Sequence, residues 1–174
     1  MKMKNKLELR MMGLVPYNIS PIQQGIQYGH TKDEFTLKVI KSILGKKETI
    51  SQSDVDSYLD WLENWKTYII LNGGTTNTNP ERLGTLNQHL QTLKDNGVFC
   101  TEFYEPDLGD QLTGITFIVD ERVFNRVKYP DYEPDLVSSI NPWKYKREYN
   151  KWVESIGGEK NLFLRKFLIQ FRLA

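Results

Sequence analysis

Cysteine and histidine are scarce in this chain of 174 residues: Cys100 stands alone, and His30 and His89 are the only histidines. One cysteine excludes an internal disulfide, and so few sulfur and imidazole donors exclude a structural zinc site of the usual ligand spacing. Long apolar runs are also missing. No stretch approaches the roughly 18 consecutive apolar residues of a membrane span. The start, Met1 to Arg10, is basic but lacks the apolar stretch of a signal peptide. The reading is therefore a cytoplasmic protein with no membrane partner.

What is present is ordinary for a globular protein, 39% hydrophobic and 26% charged, and the length suits one domain with a core. The formal charge of +1 hides a division along the chain. Glu102 to Glu121 holds six acidic residues and no basic one, a stretch that repels phosphate. Asn141 to Ala174 holds eight basic residues against three acidic ones and attracts it.

Local signals order the elements. Leu7 to Val15 alternates and then turns continuously apolar, a strand entering a buried sheet. Ser20-Pro21 is a capping serine followed by the residue that loses no hydrogen bond at a helix start. The helix it opens carries Ile22, Ile26, Gly29, Leu37, Ile40 and Leu44 at three- and four-residue spacings, which predicts that this face packs on the sheet, and Gly45 ends it. Gly25 and Gly29 inside that helix suggest close packing, or room for a nucleotide above it.

A short second helix capped by Ser51 or Ser53 leads to a strand from Lys66 to Leu71, stopped by Asn72-Gly73-Gly74. A third helix with Leu83, Leu86, Leu90 and Leu93 on its apolar face stops at Asn96-Gly97. Strands follow at Val98 to Phe103 and Gly114 to Val119, joined by an acidic loop from Glu105 to Thr113. A proline-rich strap, Lys128 to Asp135, precedes two helices, Pro142 to Ile156 and Asn161 to Leu173. Trp143, Tyr145, Tyr149 and Trp152 lie among basic residues there and read as core aromatics with charges outside, a mixture also suited to RNA contact. The predicted class is α/β: a small mixed four-stranded sheet flanked by helices on both faces, residues 1–124, with a strap and extra C-terminal helices, 125–174.

Candidate chemistry concentrates on the first helix and the acidic loop. Gln23, Gln27, His30 and Glu34 share one helical face, a polar stripe that is either solvated or ligand-binding. Asp107 either makes a local turn bond or orients a water. Asn72 to Thr76 offers backbone amides but lacks the lysine of a phosphate-binding loop. His89 reads as solvent-facing or capping, and Cys100 as core.

Gln27-Tyr28-Gly29-His30 resembles the glutamine-x-alanine-histidine signature on the first helix of type II peptidyl-tRNA hydrolases. Trp61 to Ile70 resembles that family's tryptophan-containing lead into its second strand. Glu105-Pro106-Asp107-Leu108-Gly109 resembles its aspartate-alanine-glycine loop, and Thr113 to Ile118 its threonine-led last strand. The similarity spans about Leu7 to Phe124.

The resemblance implies hydrolysis of the ester joining a peptide or amino acid to the terminal ribose of tRNA, without metal or organic cofactor. It assigns Asp107, Thr113 and Gln23 to catalytic positions and Gln27, His30, Gly109 and Lys32 to substrate binding. Gln23 stands where the family has a lysine, and a neutral amide cannot supply that charge; Lys32 lies roughly 13 Å further along the helix.

Two further readings accompany the hydrolase. One is a protein, similar to those of tailed bacteriophages and then in the host cytoplasm, that binds or degrades a small nucleotide in the same cleft. The other is a protein-interaction module. Partners are thus a tRNA acceptor end or a nucleotide, with a homodimer left open.

Overall fold

A computed structural model describes residues 6–46, 50–77, 79, 81–136 and 140–174. Their contacts group into two compact units: Glu8–Ile118 with Phe171–Ala174, and Val119–Gln170 with the residues just before Glu8. The two groups part after Ile118, and the last four residues belong with the first.

The first unit is a four-stranded mixed sheet in the order β2-β1-β4-β3, with β1 Leu9–Pro16, β2 Thr67–Gly74, β3 Cys100–Glu105 and β4 Gln111–Asp120, whose last two residues belong to the second unit. β1 and β2 run parallel and β3 and β4 antiparallel. Between them come α1 Pro21–Ile43, α2 Gln52–Asp60 with a π-helical turn Trp61–Trp65, and α3 Thr85–Asp95.

Both faces of this sheet are covered. Leu9, Met11 and Val15 of β1 meet Tyr28, Phe35 and Val39 of α1, Val55 and Tyr58 of α2, and Trp61, in one buried cluster. On the opposite face Leu14 and Gly73 lie under Leu86 of α3, so close that a Cβ on Gly73 would come within 2.5 Å of that leucine. Trp61 donates its indole N–H to the Thr67 carbonyl at 3.1 Å, which fixes the entry into β2.

Capping signals operate where the sequence places them. Ser20 and Gln23 form a capping box at the start of α1, Ser51 caps α2, and Gly45 and Gly97 take φ of +66° just past α1 and α3.

The rotation of α1 overturns one expectation. Ile22, Ile26, Leu37, Ile40 and Leu44 are exposed, and the face on the sheet carries Gln24, Gln27, Tyr28, Thr31, Phe35 and Val39. Tyr28, Phe35 and Val39 form a second stripe of the same period, larger in ring area. The polar residues among them are hydrogen-bonded: Gln24 donates to the Pro16 carbonyl at 3.1 Å and Thr31 to the Gln27 carbonyl at 2.8 Å, which removes the penalty for their burial. A Cβ added to Gly25 or Gly29 would meet no described atom within 4 Å, so neither glycine marks close packing on the sheet.

The chain end departs from expectation too. The last helix stops at Leu168, and the tail runs beside β2: Asn72 N–H donates to the Arg172 carbonyl and Ala174 N–H to the Ile70 carbonyl, at 2.9 and 3.0 Å. This covers one amide and one carbonyl that an edge strand otherwise presents to other chains. His89 is half-buried rather than solvent-facing, with Phe171 edge-on at 4.8 Å.

Burial lowers the His89 pKa below the ordinary histidine value of 6.5. The folded state then binds fewer protons than the unfolded chain at mildly acid pH. Stability is expected to fall as pH drops below about 6.5, with no contribution above it. Urea midpoints compared between wild type and His89→Phe across that range check this: the acid-side decline is expected to be shallower in the variant.

The second unit contains α4 Glu121–Phe124, capped by Asp120, then α5 Pro142–Ser155 and α6 Glu159–Leu168. Val153, Ile156 and Leu162 form its apolar cluster with Tyr149 and Trp152 against it. Trp143 is exposed, so the aromatics of α5 are not uniformly core as the sequence suggested. Tyr132 of the strap packs edge-on to Tyr145 and Tyr149. Arg165, only 1% exposed, donates to the carbonyls of Arg122 and Tyr129 and to the Asp131 carboxylate.

Candidate functional site

Three elements of the sheet unit bring the candidate residues together, and an irregularity in one strand makes this work. The register of β3 and β4 steps from Phe103 opposite Gly114 to Tyr104 opposite Leu112. Thr113 is therefore the extra residue of a bulge. Side chains of a regular strand alternate faces, so Thr113 and Gly114 would point oppositely; the bulge re-aims Thr113 toward α1.

Gly114 is the other half of the arrangement. A Cβ there would lie 1.9 Å from Thr31 Oγ1 and 3.1 Å from the Gln27 carbonyl oxygen. Only the missing side chain lets α1 approach so closely. As a result Thr113 Oγ1 donates to Gln27 Oε1 at 2.5 Å, and Gln27 Nε2 donates to Glu105 Oε2 at 2.6 Å. Thr113 and Gln27 are buried and Glu105 is half-buried. The hydroxyl sets which way the amide faces, because only the amide oxygen can accept its proton.

His30, one turn beyond Gln27 and exposed, stacks on Phe103 of β3 with ring centroids 4.7 Å apart and planes 25° from parallel. Glu105 opens the turn that follows: Pro106–Leu108 is a single 3-10 turn, and Gly109 and Asp110 both take positive φ, 66° and 56°. The acidic connection is thus shorter than the sequence suggested, because β3 extends to Glu105 and β4 begins at Gln111.

The residues expected to act on an ester are placed as follows. Asp107 is exposed in the middle of the 3-10 turn. Gly109 N–H already donates to the Pro106 carbonyl at 3.0 Å, and the Thr113 proton to Gln27. Gln23 is exposed at the start of α1, where its Oε1 accepts from Ser20 N–H at 3.1 Å. Lys32 lies about 140° round the helix from Gln27 and pairs with Asp33 at 2.6 Å, away from the cluster. Of the polar stripe, Gln27 faces inward while His30 remains outside.

Glu105 is the residue that sequence reasoning does not single out. Its position at the end of β3, beside an aligned glutamine, becomes visible only once strand pairing is known. Cys100 is buried and its thiol is pushed up to about 11 by that burial, which suits a core residue rather than a nucleophile. Among the described residues no cluster of three or more His, Cys, Asp or Glu is arranged to hold a metal, and no helix is long and apolar enough to cross a membrane. In comparisons with known proteins, the chain matches no family model, no curated protein and no solved structure.

Proposed function

We propose that the chain is a peptidyl-tRNA hydrolase II-like protein that binds a ribonucleoside end, a tRNA acceptor end or a small nucleotide, at the cluster of Gln27, His30, Glu105 and Thr113, without turning it over. The observation that carries this reading is the hydrogen-bond chain from Thr113 through Gln27 to Glu105, beside the exposed His30–Phe103 stack.

Each part has a use in such recognition. A carboxylate accepts from ribose hydroxyls, as acidic residues do in dinucleotide sites. A flat aromatic or imidazole face stacks on a base. Gln27 and Thr113 fix the carboxylate that does the accepting. The acidic surroundings, Glu105, Asp107 and Asp110, favour contact with hydroxyls over contact with phosphate.

Hydrolysis needs a donor at the developing oxyanion. The Thr113 hydroxyl and the Gly109 amide already have acceptors, and Gln23 brings no charge. Binding is therefore favoured over cleavage.

The test is a titration of N-acetyl-aminoacyl-tRNA and of deacylated tRNA, with release of N-acetylated amino acid followed in the same samples. Saturable binding without release is expected, weakened about tenfold in Gln27→Ala and in Thr113→Val and restored in Thr113→Ser. Release that disappears in Asp107→Ala would replace this reading with the hydrolase. Neither binding nor release would overturn both.

A further inference from the structure

We infer that the outward face of α5 binds single-stranded RNA, with Trp143 stacking on a base while Lys146, Arg147 and Lys151 take phosphates. The inference stands apart from the proposed ribonucleoside site, because it concerns the Val119–Gln170 unit alone.

The helical period sorts α5 into two sides. At about 100° per residue, Lys146, Arg147, Asn150 and Lys151 lie within roughly 80° of Trp143, and Tyr145, Tyr149, Trp152 and Ile156 lie on the far side. The far side is the packed one. Tyr132 of the strap meets Tyr145, Tyr149 and Trp152, and Ile156 joins the apolar cluster. Trp143 faces the other way, 84% exposed, and among the described residues its ring has no aromatic or hydrogen-bonding partner.

The charges on this side are uncompensated. Lys146, Arg147 and Lys151 are exposed and, among the described residues, have no ion pair. Lys144, on the flank, holds the carboxylates of Asp135 and Glu148 at 2.8 and 3.7 Å. Arg147 and Lys151 are four residues apart, and like charges at that spacing oppose helix formation. The fold gains nothing from that pair, and a polyanion lying along the face reverses its cost.

The residue types select the polyanion. An anionic membrane requires a broad apolar face, and this side offers one large apolar residue in about 12 Å of helix. A single strand offers both chemistries at once: phosphates for the cations and an open base face for the tryptophan. Asn150 stands among the cations, and its amide both donates and accepts, which suits a ribose 2′-hydroxyl and favours RNA over DNA. Glu154 follows on the same face and ends the basic run, so the footprint is short.

The probe is a labelled oligouridylate with a 3′-phosphate, which leaves no terminal diol for the cluster around Gln27 and Glu105. Fluorescence anisotropy with the full chain is expected to show saturable binding. Its log K should fall against log salt with a slope of about −2, from three cations at about 0.7 each. Lys151→Gln is expected to reduce that slope by about 0.7. Trp143→Ala is expected to weaken binding about tenfold, and Trp143→Phe to restore most of it. Both positions are exposed, so the variants should retain their melting temperature.

The matching oligodeoxyuridylate and vesicles rich in phosphatidylserine are titrated alongside, and both are expected to bind more weakly than the RNA. No binding of the RNA, binding that Trp143→Ala leaves intact, equal binding of the deoxy strand, or capture by the vesicles in place of the RNA would overturn the inference.

Discussion

Arg165→Ala is expected to destabilise the Val119–Gln170 unit by about 3 kcal/mol or more. The guanidinium is enclosed, and through three hydrogen bonds it joins parts of the chain that no regular element connects. It donates to the Arg122 carbonyl at 2.5 Å, in α4, and to the Tyr129 carbonyl at 2.8 Å, in the strap. It also reaches the Asp131 carboxylate at 2.8 Å and lies 5.8 Å from the Trp152 ring centroid.

Alanine would leave two carbonyls without this donor and a cavity beside Trp152. Arg165→Met keeps most of the volume, so it separates the two losses: the methionine variant should recover the packing part only. Hydrogen exchange across residues 142–168 is the direct readout, with protection expected to fall there. Unchanged exchange would show that the strap is held by other contacts.

The network is also acid-sensitive. The Arg165 hydrogen bond holds Asp131 below the usual carboxylate range, and Arg122 and Asn161 outweigh burial to do the same for Asp120. Depressed carboxylates contribute stability that is present above their unfolded pKa and lost as pH falls through the folded one.

Gly114→Ala is expected to cost about 2 kcal/mol, the scale of forcing a methyl group into a packed site. Its effect on the candidate site should exceed its effect on the fold. The added methyl would meet Thr31 Oγ1 and the Gln27 carbonyl, so relief requires α1 to lift from β4. Lifting lengthens the Thr113–Gln27 bond first, because that bond spans the same gap. Ligand affinity should therefore fall in Gly114→Ala at a temperature where circular dichroism still shows a folded chain.

The reciprocal variant Thr31→Ala removes the hydroxyl that obstructs the methyl. Combined with Gly114→Ala, it should restore part of both properties, and a double-mutant cycle measures the coupling. Additive losses would show that Gly114 is needed for some other reason.

The same residues show how far the sequence reaches. Ser20-Pro21, Gly45 and Gly97 fix helix ends from the sequence alone, and the choice of Ser51 or Ser53 bounds the start of α2, since each signal acts within four residues of itself through a cap or a positive φ. The four strands and the acidic connection were legible in existence and order for a similar reason, as runs of strand formers between turn residues, but not in their ends: β2 runs on through Asn72-Gly73-Gly74 instead of stopping there, and β3 and β4 both reach into the acidic connection. Gln27, His30 and Thr113 could be picked out as candidates, but not how they meet.

Tertiary structure decided the rest. α1 carries two apolar stripes, and its periodicity allows either to face inward. The inward one is chosen because β1 and α2 supply aromatic and aliphatic neighbours for Tyr28, Phe35 and Val39, and because Gln24, Gln27 and Thr31 find acceptors and donors there. Gln27 meets partners 78 and 86 residues away. No local pattern encodes contacts over such separations. The bulge at Thr113 and the return of the tail to β2 are likewise set by strand pairing, whose register emerges from the burial of a whole sheet face rather than from the residues that shift.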